Sequence, residues 1–334
     1  MKKKRVTMGD IATLVGVSQP TVSAILNGSK AIRLSDATHK KVHAAAHELG
    51  YVIKRVTHVR GAHNKIALVI NGLTSFDPFI NAINSVREAA WLYDHLVVTF
   101  NYCHDDEIAH SIQSEVEVGD YKGVIYASSM TREISQQRVL SNLPTVLLNC
   151  IPSFETDAPS VIPADMIGAY KATTHLIRQG CRNIAILTGE KWMNASQQRL
   201  SGYRQALVDH DISPNENYIK EANWSLKEAY KQTEVLLNLP QRPDAIFCCS
   251  DYMSMGCYHA IEKASLTIPN DIKIIGYDNQ QISSESFPPL TTVELPYDEM
   301  GKQAIERLFA LINEQPLLSR RTKVEGNLII RDST

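Results

Sequence analysis

Two hydrophobic periodicities divide the chain. Over the first sixty residues apolar positions recur at helical spacing. Ile11, Ala12 and Val15 mark one face of a helix over 8–15, and Val22, Ile25 and Leu26 mark a second that ends at Gly28. Val42, Ala45, Ala46 and Leu49 mark a third, running from about Asp36 to Leu49. From Lys65 the pattern changes to continuous apolar runs: IALVI (66–70), LVVTF (96–100), GVIYA (123–127), TVLLN (145–149), NIAIL (183–187), AIFCC (245–249) and IKIIGY (272–277). Such runs, separated by amphipathic stretches, predict strands buried on both faces of parallel sheets. Some 270 residues exceed one doubly wound unit, so two α/β subdomains are expected.

Polar residues place the boundaries. Thr7 followed three residues later by Asp10 predicts a capping box, Gly16-Val17 a turn, and Ser18 a second N-cap with Pro20 in the first turn. Ser35 precedes the third helix. Two short helices around a tight glycine turn, supported by a third, make a helix-turn-helix. In the second, Ser18, Gln19, Thr21, Ser23 and Asn27 face outward, all hydrogen-bonding side chains suited to base edges and phosphates. Further on, Asp77-Pro78 predicts a helix start before Phe79, and Ser225 with Glu228 a second capping box.

Charge changes the picture of the first sixty residues. The formal net charge of the 334-residue chain is −2. Residues 1–60 nevertheless carry seven Lys and four Arg against Asp10, Asp36 and Glu48, while the remainder holds 23 basic and 33 acidic residues. A small basic module joined to a large acidic one points to a nucleic-acid partner for the former.

Other classes fall away. No apolar run reaches the ~20 residues of a membrane helix, and Asp10 breaks any signal-peptide pattern after Met1-Lys2-Lys3-Lys4-Arg5. The six cysteines form no C-x-x-C pair and predict reduced core residues of a cytoplasmic protein. His39, His43 and His47 share a face of the third helix, but no Cys, Asp or Glu completes a ligand set, so no metal is expected. G-x-G-x-x-G, P-loop, nucleophile-elbow and H-E-x-x-H motifs are missing, so neither an enzyme nor a cofactor is expected. Asp251 and Asp278 fall at strand ends, where open α/β sheets bind ligands; capping is the competing role, especially for Asp251.

The string VTMGDIATLVGVSQPTVSAILNG, with Thr38, Val42 and Leu49-Gly50-Tyr51, resembles the DNA-binding head of the LacI/GalR repressor family. Ala24 stands where that family usually has a major-groove arginine, so readout shifts to Gln19, Pro20 and their neighbours. The family's hinge helix is also altered. Thr57 occupies its alanine position and Arg60 the position of its minor-groove leucine, implying weaker bending or a wedge supplied by Val56 or Val59. The DNA-contacting set is Thr7, Ser18, Gln19, Pro20, Thr21, Ser23, Asn27, Arg55 and Arg60.

The resemblance continues through Asp77-Pro78-Phe79, Leu143-Pro144-Thr145-Val146, His175-Leu176-Ile177-Arg178-Gln179-Gly180, Arg199-Leu200-Ser201-Gly202-Tyr203, Ile275-Gly276-Tyr277-Asp278-Asn279, Pro289-Leu290-Thr291-Thr292-Val293 and Ile330-Arg331-Asp332-Ser333-Thr334. It implies an α/β core like that of periplasmic sugar-binding proteins, two subdomains crossed three times by the chain with ligand in the cleft. Carried over by position, the ligand-binding residues are Phe79, Asn149, Arg199, Trp224, Asp251 and Asp278, with Trp224 offering a face for a sugar ring. The family's Asp-Asn before a helix reads Ala164-Asp165 here, so that cleft carboxylate is lost or supplied by Asp165.

The expected organisation is a head with hinge over 1–61 and a ligand-binding and dimerisation domain over 62–334. The latter divides into an N-subdomain of about 62–162 and 290–321 and a C-subdomain of about 163–289 and 322–334. The expected function is a cytoplasmic, nucleoid-associated regulator, a repressor of carbohydrate-metabolism genes. It binds double-stranded operator DNA as a homodimer, has no membrane partner, and responds to a small-molecule effector, a sugar or sugar phosphate. Because the sequence stops after the Ile330–Thr334 strand without a heptad tail, dimer rather than tetramer is expected. A nucleoside-responsive regulator of the same fold is the alternative. A solute-binding protein fits poorly with the basic head, and an α/β enzyme fused to such a head lacks its phosphate loop.

Overall fold

The computed structural model describes residues 7–26, 38, 41, 42, 45, 46, 49, 64–73, 77–103, 105–136 and 142–334. The chain forms two compact units, Met1–His63 and Asn64–Thr334.

In the first unit α1 is Met8–Val15 and α2 is Gln19–Leu26. The expected capping box is present: Thr7 Oγ1 accepts from the Asp10 amide at 3.3 Å, and Asp10 Oδ2 accepts from the Thr7 amide at 2.7 Å. Gly16 closes α1 with φ 74°, the left-handed turn that glycine adopts without a Cβ penalty. Ile11 and Val22 are fully buried and meet Ile25, Val42, Ala45 and Ala46 in a small core. Thr38, Lys41, Val42, Ala45 and Ala46 are helical, in register with the expected third helix. Asn27, His39, His43, His47, Arg55 and Arg60, and with them the hinge, lie outside the described residues.

The second unit begins with β1 (Asn64–Asn71), α3 (Ile80–Leu92), β2 (His95–Asn101), α4 (Asp106–Val118), β3 (Tyr121–Ile134), β4 (Thr145–Pro152) and β5 (Ser160–Pro163). It continues with α5 (Asp165–Arg178), β6 (Ile184–Thr188), α6 (Asn194–Asp209), β7 (Ile219–Glu221), α7 (Leu226–Leu237) and β8 (Ala245–Cys248). Next come α8 (Asp251–Lys263), β9 (Lys273–Asp278), α9 (Gln281–Glu285) and β10 (Thr291–Glu294), and finally α10 (Tyr297–Ile312), β11 (Arg321–Val324) and β12 (Leu328–Ile329). All seven continuous apolar runs are strands.

Two six-stranded sheets result, ordered β11-β5-β4-β3-β1-β2 and β12-β10-β9-β8-β6-β7. The first is parallel throughout; in the second only the β10–β12 pair is antiparallel. Helices cover both faces of the first sheet. α3 and α10 pack on Ile66, Leu68 and Ile70, while α4 packs on Ala67, Val69 and Tyr126. Alternate residues of one strand therefore enter different cores, which is why these strands read as unbroken apolar runs.

The chain crosses between the lobes at Ala164, at Leu295 and between Val324 and Leu328. The last two points differ from the expected 290 and 322. Thr291–Glu294 pair in parallel with β9, so Pro289-Leu290-Thr291-Thr292-Val293 belongs to the C-lobe sheet. Arg321–Val324 pair with β5 and stay in the N-lobe sheet. Short strands without an apolar run of their own are fixed by these long-range partners, and nothing local in the sequence announces them.

Local expectations hold in detail with two exceptions. Ser225 Oγ accepts from the Glu228 amide at 3.3 Å, but the Glu228 carboxylate turns to Lys231 at 2.7 Å, so the capping box is half formed. Cys150, Cys181, Cys248, Cys249 and Cys257 are buried free thiols, whereas Cys103 is exposed. Among the described residues no helix is long and apolar enough to cross a membrane.

Candidate functional site

The carboxyl ends of the two sheets face a cavity of about 450 Å³. Its walls come from both lobes: Asp77, Pro78, Ser129, Met130, Thr131, Asn149 and Tyr297 from the first, Ala195, Arg199, Trp224, Ser250, Tyr252, Asp278 and Gln280 from the second. Pro163 and Leu295, beside two of the crossings, complete the lining. A ligand filling this volume touches both lobes and the crossings between them.

On the N-lobe side, the β3–β4 register shifts between Ala127 and Arg132, and Ser129, Met130 and Thr131 in the shifted stretch line the cavity. Asn149, at φ 56° and 1% exposed, donates to Ser128 O at 2.9 Å and accepts from Thr131 Oγ1 at 2.5 Å. Its amide braces the wall more than it presents itself. Tyr297 Oη donates to Ser129 O at 3.1 Å. Phe79 is fully buried with its ring edge-on to Tyr297, centroids 5.2 Å apart. Its expected cleft position is corrected accordingly: Phe79 supports the tyrosine that lines the cavity.

Arg199 organises the C-lobe side. It sits on α6, 4% exposed, with Nε donating to Asp165 Oδ1 at 2.8 Å. Its Nη1 donates to Cys249 O at 2.5 Å and to Asp278 Oδ1 at 3.3 Å. The guanidinium carbon stands 3.7 Å from the Tyr277 ring centroid and 5.6 Å from that of Trp224. Burial favours the neutral form, but Asp165 and Asp278 outweigh it and hold Arg199 firmly cationic. Nη2 has no acceptor within the protein, on a side chain that lines the cavity.

Asp165 therefore lies behind the arginine, 3% exposed, and outside the cavity lining. Asp278, at the end of β9 with φ 109°, does line it. Burial pushes its carboxyl up to about 7; Arg199 opposes this, and Asp165 and Asp77 add to it. Asp251 is the second correction. It is fully buried as the first residue of α8, accepts from Thr292 Oγ1 at 2.6 Å and from the Gln280 amide at 2.7 Å, and does not line the cavity. It ties β10 and the loop after β9 to α8, and burial followed by the nearby Asp278 charge drives its carboxyl well above the usual range.

Trp224 lines the cavity from the loop before α7. Asn223 and Trp224 are consecutive left-handed residues, at φ 51° and 56°. Such strain at non-glycine positions, of order 1–2 kcal/mol each, marks a side chain held for a purpose. Its Nε1 donates to Met193 Sδ at 2.9 Å, and Gly189 makes room for it: a Cβ there would lie 1.9 Å from the indole. Met193, Gly189, Asp77, Tyr252 and Tyr297 carried no motif and went unnoticed as site residues. Of these only Asp77 had a local signal, its place before Pro78 at the carboxyl end of β1.

In the basic head, Thr7, Ser18, Gln19 and Pro20 are exposed, and Thr21 and Ser23 half-buried. Ser18 Oγ accepts from the Thr21 amide at 3.3 Å and lies 2.8 Å from Thr21 Oγ1, so the cap also orders a pair of hydroxyls at the start of α2.

Comparison with known proteins agrees with both halves. A model of bacterial regulatory proteins of the lacI family matches residues 7–53, and a periplasmic binding protein-like domain model matches residues 173–334. The ribose operon repressor of Haemophilus influenzae is 30% identical over 333 residues, covering 98% of both chains. The HTH-type transcriptional repressor PurR of Vibrio campbellii is 27% identical over 334 residues, with 98% of both covered. Among solved structures, a transcriptional regulator CelR–cellobiose complex aligns at TM-score 0.71 and 25% identity, over 99% of this chain and 100% of that one. The lac repressor dimer bound to operator and the anti-inducer ONPF aligns at TM-score 0.68 and 26% identity, over 99% of each. With a basic helix-turn-helix, a two-lobed α/β core and a repressor relative matched end to end, the chain belongs to the LacI family of bacterial regulatory proteins.

Proposed function

We propose that this transcriptional regulator is a cytoplasmic homodimeric repressor whose operator affinity is set by a sugar bound between the lobes of its core. One observation carries the reading: a cavity of about 450 Å³ lies at the carboxyl ends of two facing sheets, with both lobes and two crossings in its wall. Ligand in that space contacts surfaces that can move only together, so it stabilises one arrangement of the lobes over another. Differential affinity of this kind is what ligand control requires.

The lining suits a polyhydroxylated ring. Trp224 supplies a flat face, Arg199 the Nη2 donors, and Asp278, Gln280, Ser250 and Tyr252 further hydrogen-bonding groups. A sugar phosphate fits less well. Among the described lining residues Arg199 is the only Lys or Arg, and Asp165 and Asp278 already neutralise it. A nucleoside is the second reading, favoured by the three rings of Trp224, Tyr252 and Tyr297 in the wall.

DNA reading falls to Ser18, Gln19, Pro20, Thr21 and Ser23, with Thr7 at the start of the preceding helix. Asn27, Arg55 and Arg60 are assigned to the same surface from sequence. A thermal-shift screen of sugars and nucleosides against the full chain tests the effector half, since native-state binding raises stability by RT ln(1 + [L]/Kd). A mobility-shift assay with the DNA selected by the chain tests the other half. Absence of salt-sensitive, sequence-specific binding overturns the regulator mechanism.

A further inference from the structure

Carboxylates outnumber cations around the cavity. Asp77 and Asp278 line it from opposite lobes, with Asp165 and Asp251 directly behind the C-lobe wall. Against these four stand Arg199, paired with Asp165 and Asp278, and Arg331 on the far side near Asp251. Arg331 is itself engaged with Asn279 Oδ1 and Leu290 O, both at 2.7 Å. The fully ionised cluster therefore carries two uncompensated negative charges in a poorly solvated space, and an empty or neutral occupant leaves them so. Asp77 raises the Asp278 carboxyl, and both charges act on the Tyr297 hydroxyl between the lobes, so the two cavity carboxylates feel each other across the cleft.

A second observation states what else the occupant must offer. Arg199 is 4% exposed, yet its Nη2 donors have no protein acceptor. A buried guanidinium lacking acceptors calls for an oxygen from the ligand. The occupant thus needs hydroxyl or ring oxygens near Arg199 and Trp224, and positive charge between Asp77 and Asp278.

We propose that the cavity selects an amino sugar, a polyhydroxylated ring bearing a cationic nitrogen, whose ammonium bridges Asp77 of the N-lobe and Asp278 of the C-lobe. This rests on the sugar reading above and narrows it. The ammonium pairs with a carboxylate from each lobe, so the same charge that selects the ligand also draws the lobes together. Neutral hexoses satisfy Arg199 but leave the carboxylate pair facing itself, and sugar phosphates add charge of the wrong sign.

The test is isothermal titration calorimetry of the full chain at pH 7 with glucosamine, galactosamine and mannosamine. Each is paired with its parent hexose, its N-acetyl derivative and its 6-phosphate. At least one amino sugar is expected to bind about tenfold or more tighter than all three of its partners, the scale of one ion pair in a partly solvated site. Asp77→Asn is expected to shrink the ratio between that amino sugar and its hexose several-fold. The wild-type ratios stand without this variant, so poor folding of the mutant does not remove the test. A hexose or N-acetyl derivative binding as tightly as the amine overturns the amino-sugar assignment while leaving the sugar reading intact. An unchanged ratio in Asp77→Asn does the same. No binding by any member of the panel overturns both.

Discussion

The head and the core both work through polar side chains, under opposite conditions. In the head Ser18, Gln19 and Pro20 are exposed, and their arrangement is set by a helix cap and a short apolar core. In the core Arg199, Asp165 and Asp251 are almost wholly buried, each held by two or more partners or by a single short ion pair. A solvated reader loses little folding energy when changed, because water replaces its bonds. A buried charge leaves its partner stranded. Changes in the head should therefore separate binding from stability, whereas changes in the core should couple them.

The largest break comes from Arg199→Met. It strands Asp165 against Tyr277 without a counter-charge, and a loss of about 3–5 kcal/mol is expected, read as a lower midpoint in denaturant unfolding. A loss below about 1 kcal/mol would show the cluster to be far better hydrated than its burial indicates.

Next in size is the pH response of Asp278. Its carboxyl is raised to about 7 in the folded chain against 3.8 unfolded. The native state thus holds a proton that the unfolded state releases, and stability from this group is present at low pH and lost as pH rises from about 4 through 7. The groups facing it are Arg199, Asp165, Asp251, Asp77, Cys249, Tyr277 and Tyr297. Asp278→Asn stays neutral at every pH, so its stability relative to wild type should rise across that window by on the order of a few kcal/mol. Flat difference curves from pH 4 to 8 would place the carboxylate in water.

Smaller again is Gly189→Ala, whose methyl group meets the Trp224 indole at 1.9 Å. About 1–3 kcal/mol of destabilisation is expected from overpacking, with loss of any ligand-induced thermal shift. Retention of that shift would remove Trp224 from the ligand's path.

The head variants close the series. Ser18→Ala should cost about 1 kcal/mol of head stability through the lost cap. Gln19→Ala should change stability by less than about 0.5 kcal/mol while weakening specific DNA binding by about 1–3 kcal/mol. Ala24→Arg should alter the preferred site in a binding selection, since it restores a side chain able to grip guanine.

The same contrast explains what could be read from the sequence. Thr7 with Asp10, Gly16 and the seven apolar runs are local signals, each written within a few residues, and each appears in the structure as expected. Arg199, Trp224 and Asp278 were found by position and do line the cavity. Phe79 and Asp251 were placed there for the same reason and prove to stand one layer behind, because alignment gives the strand end but not the direction of the side chain. Asp165 was left open between loss and substitution; it turns out to hold the arginine instead of facing the ligand. Tyr297 and Met193 reach the site only through lobe packing over long sequence separations, which no short window contains.

Control of the head by the cavity is tested by the affinity of the full chain for its selected DNA, measured by fluorescence anisotropy with and without the tightest-binding sugar, in wild type and in Trp224→Ala. The expected result is a change of at least about fivefold in wild type, the lower end of typical allosteric coupling, and none in the variant, with both proteins binding DNA equally when ligand is absent. Equal wild-type affinity at saturating ligand would contradict ligand control. A full response in Trp224→Ala would place the effector somewhere other than this cavity.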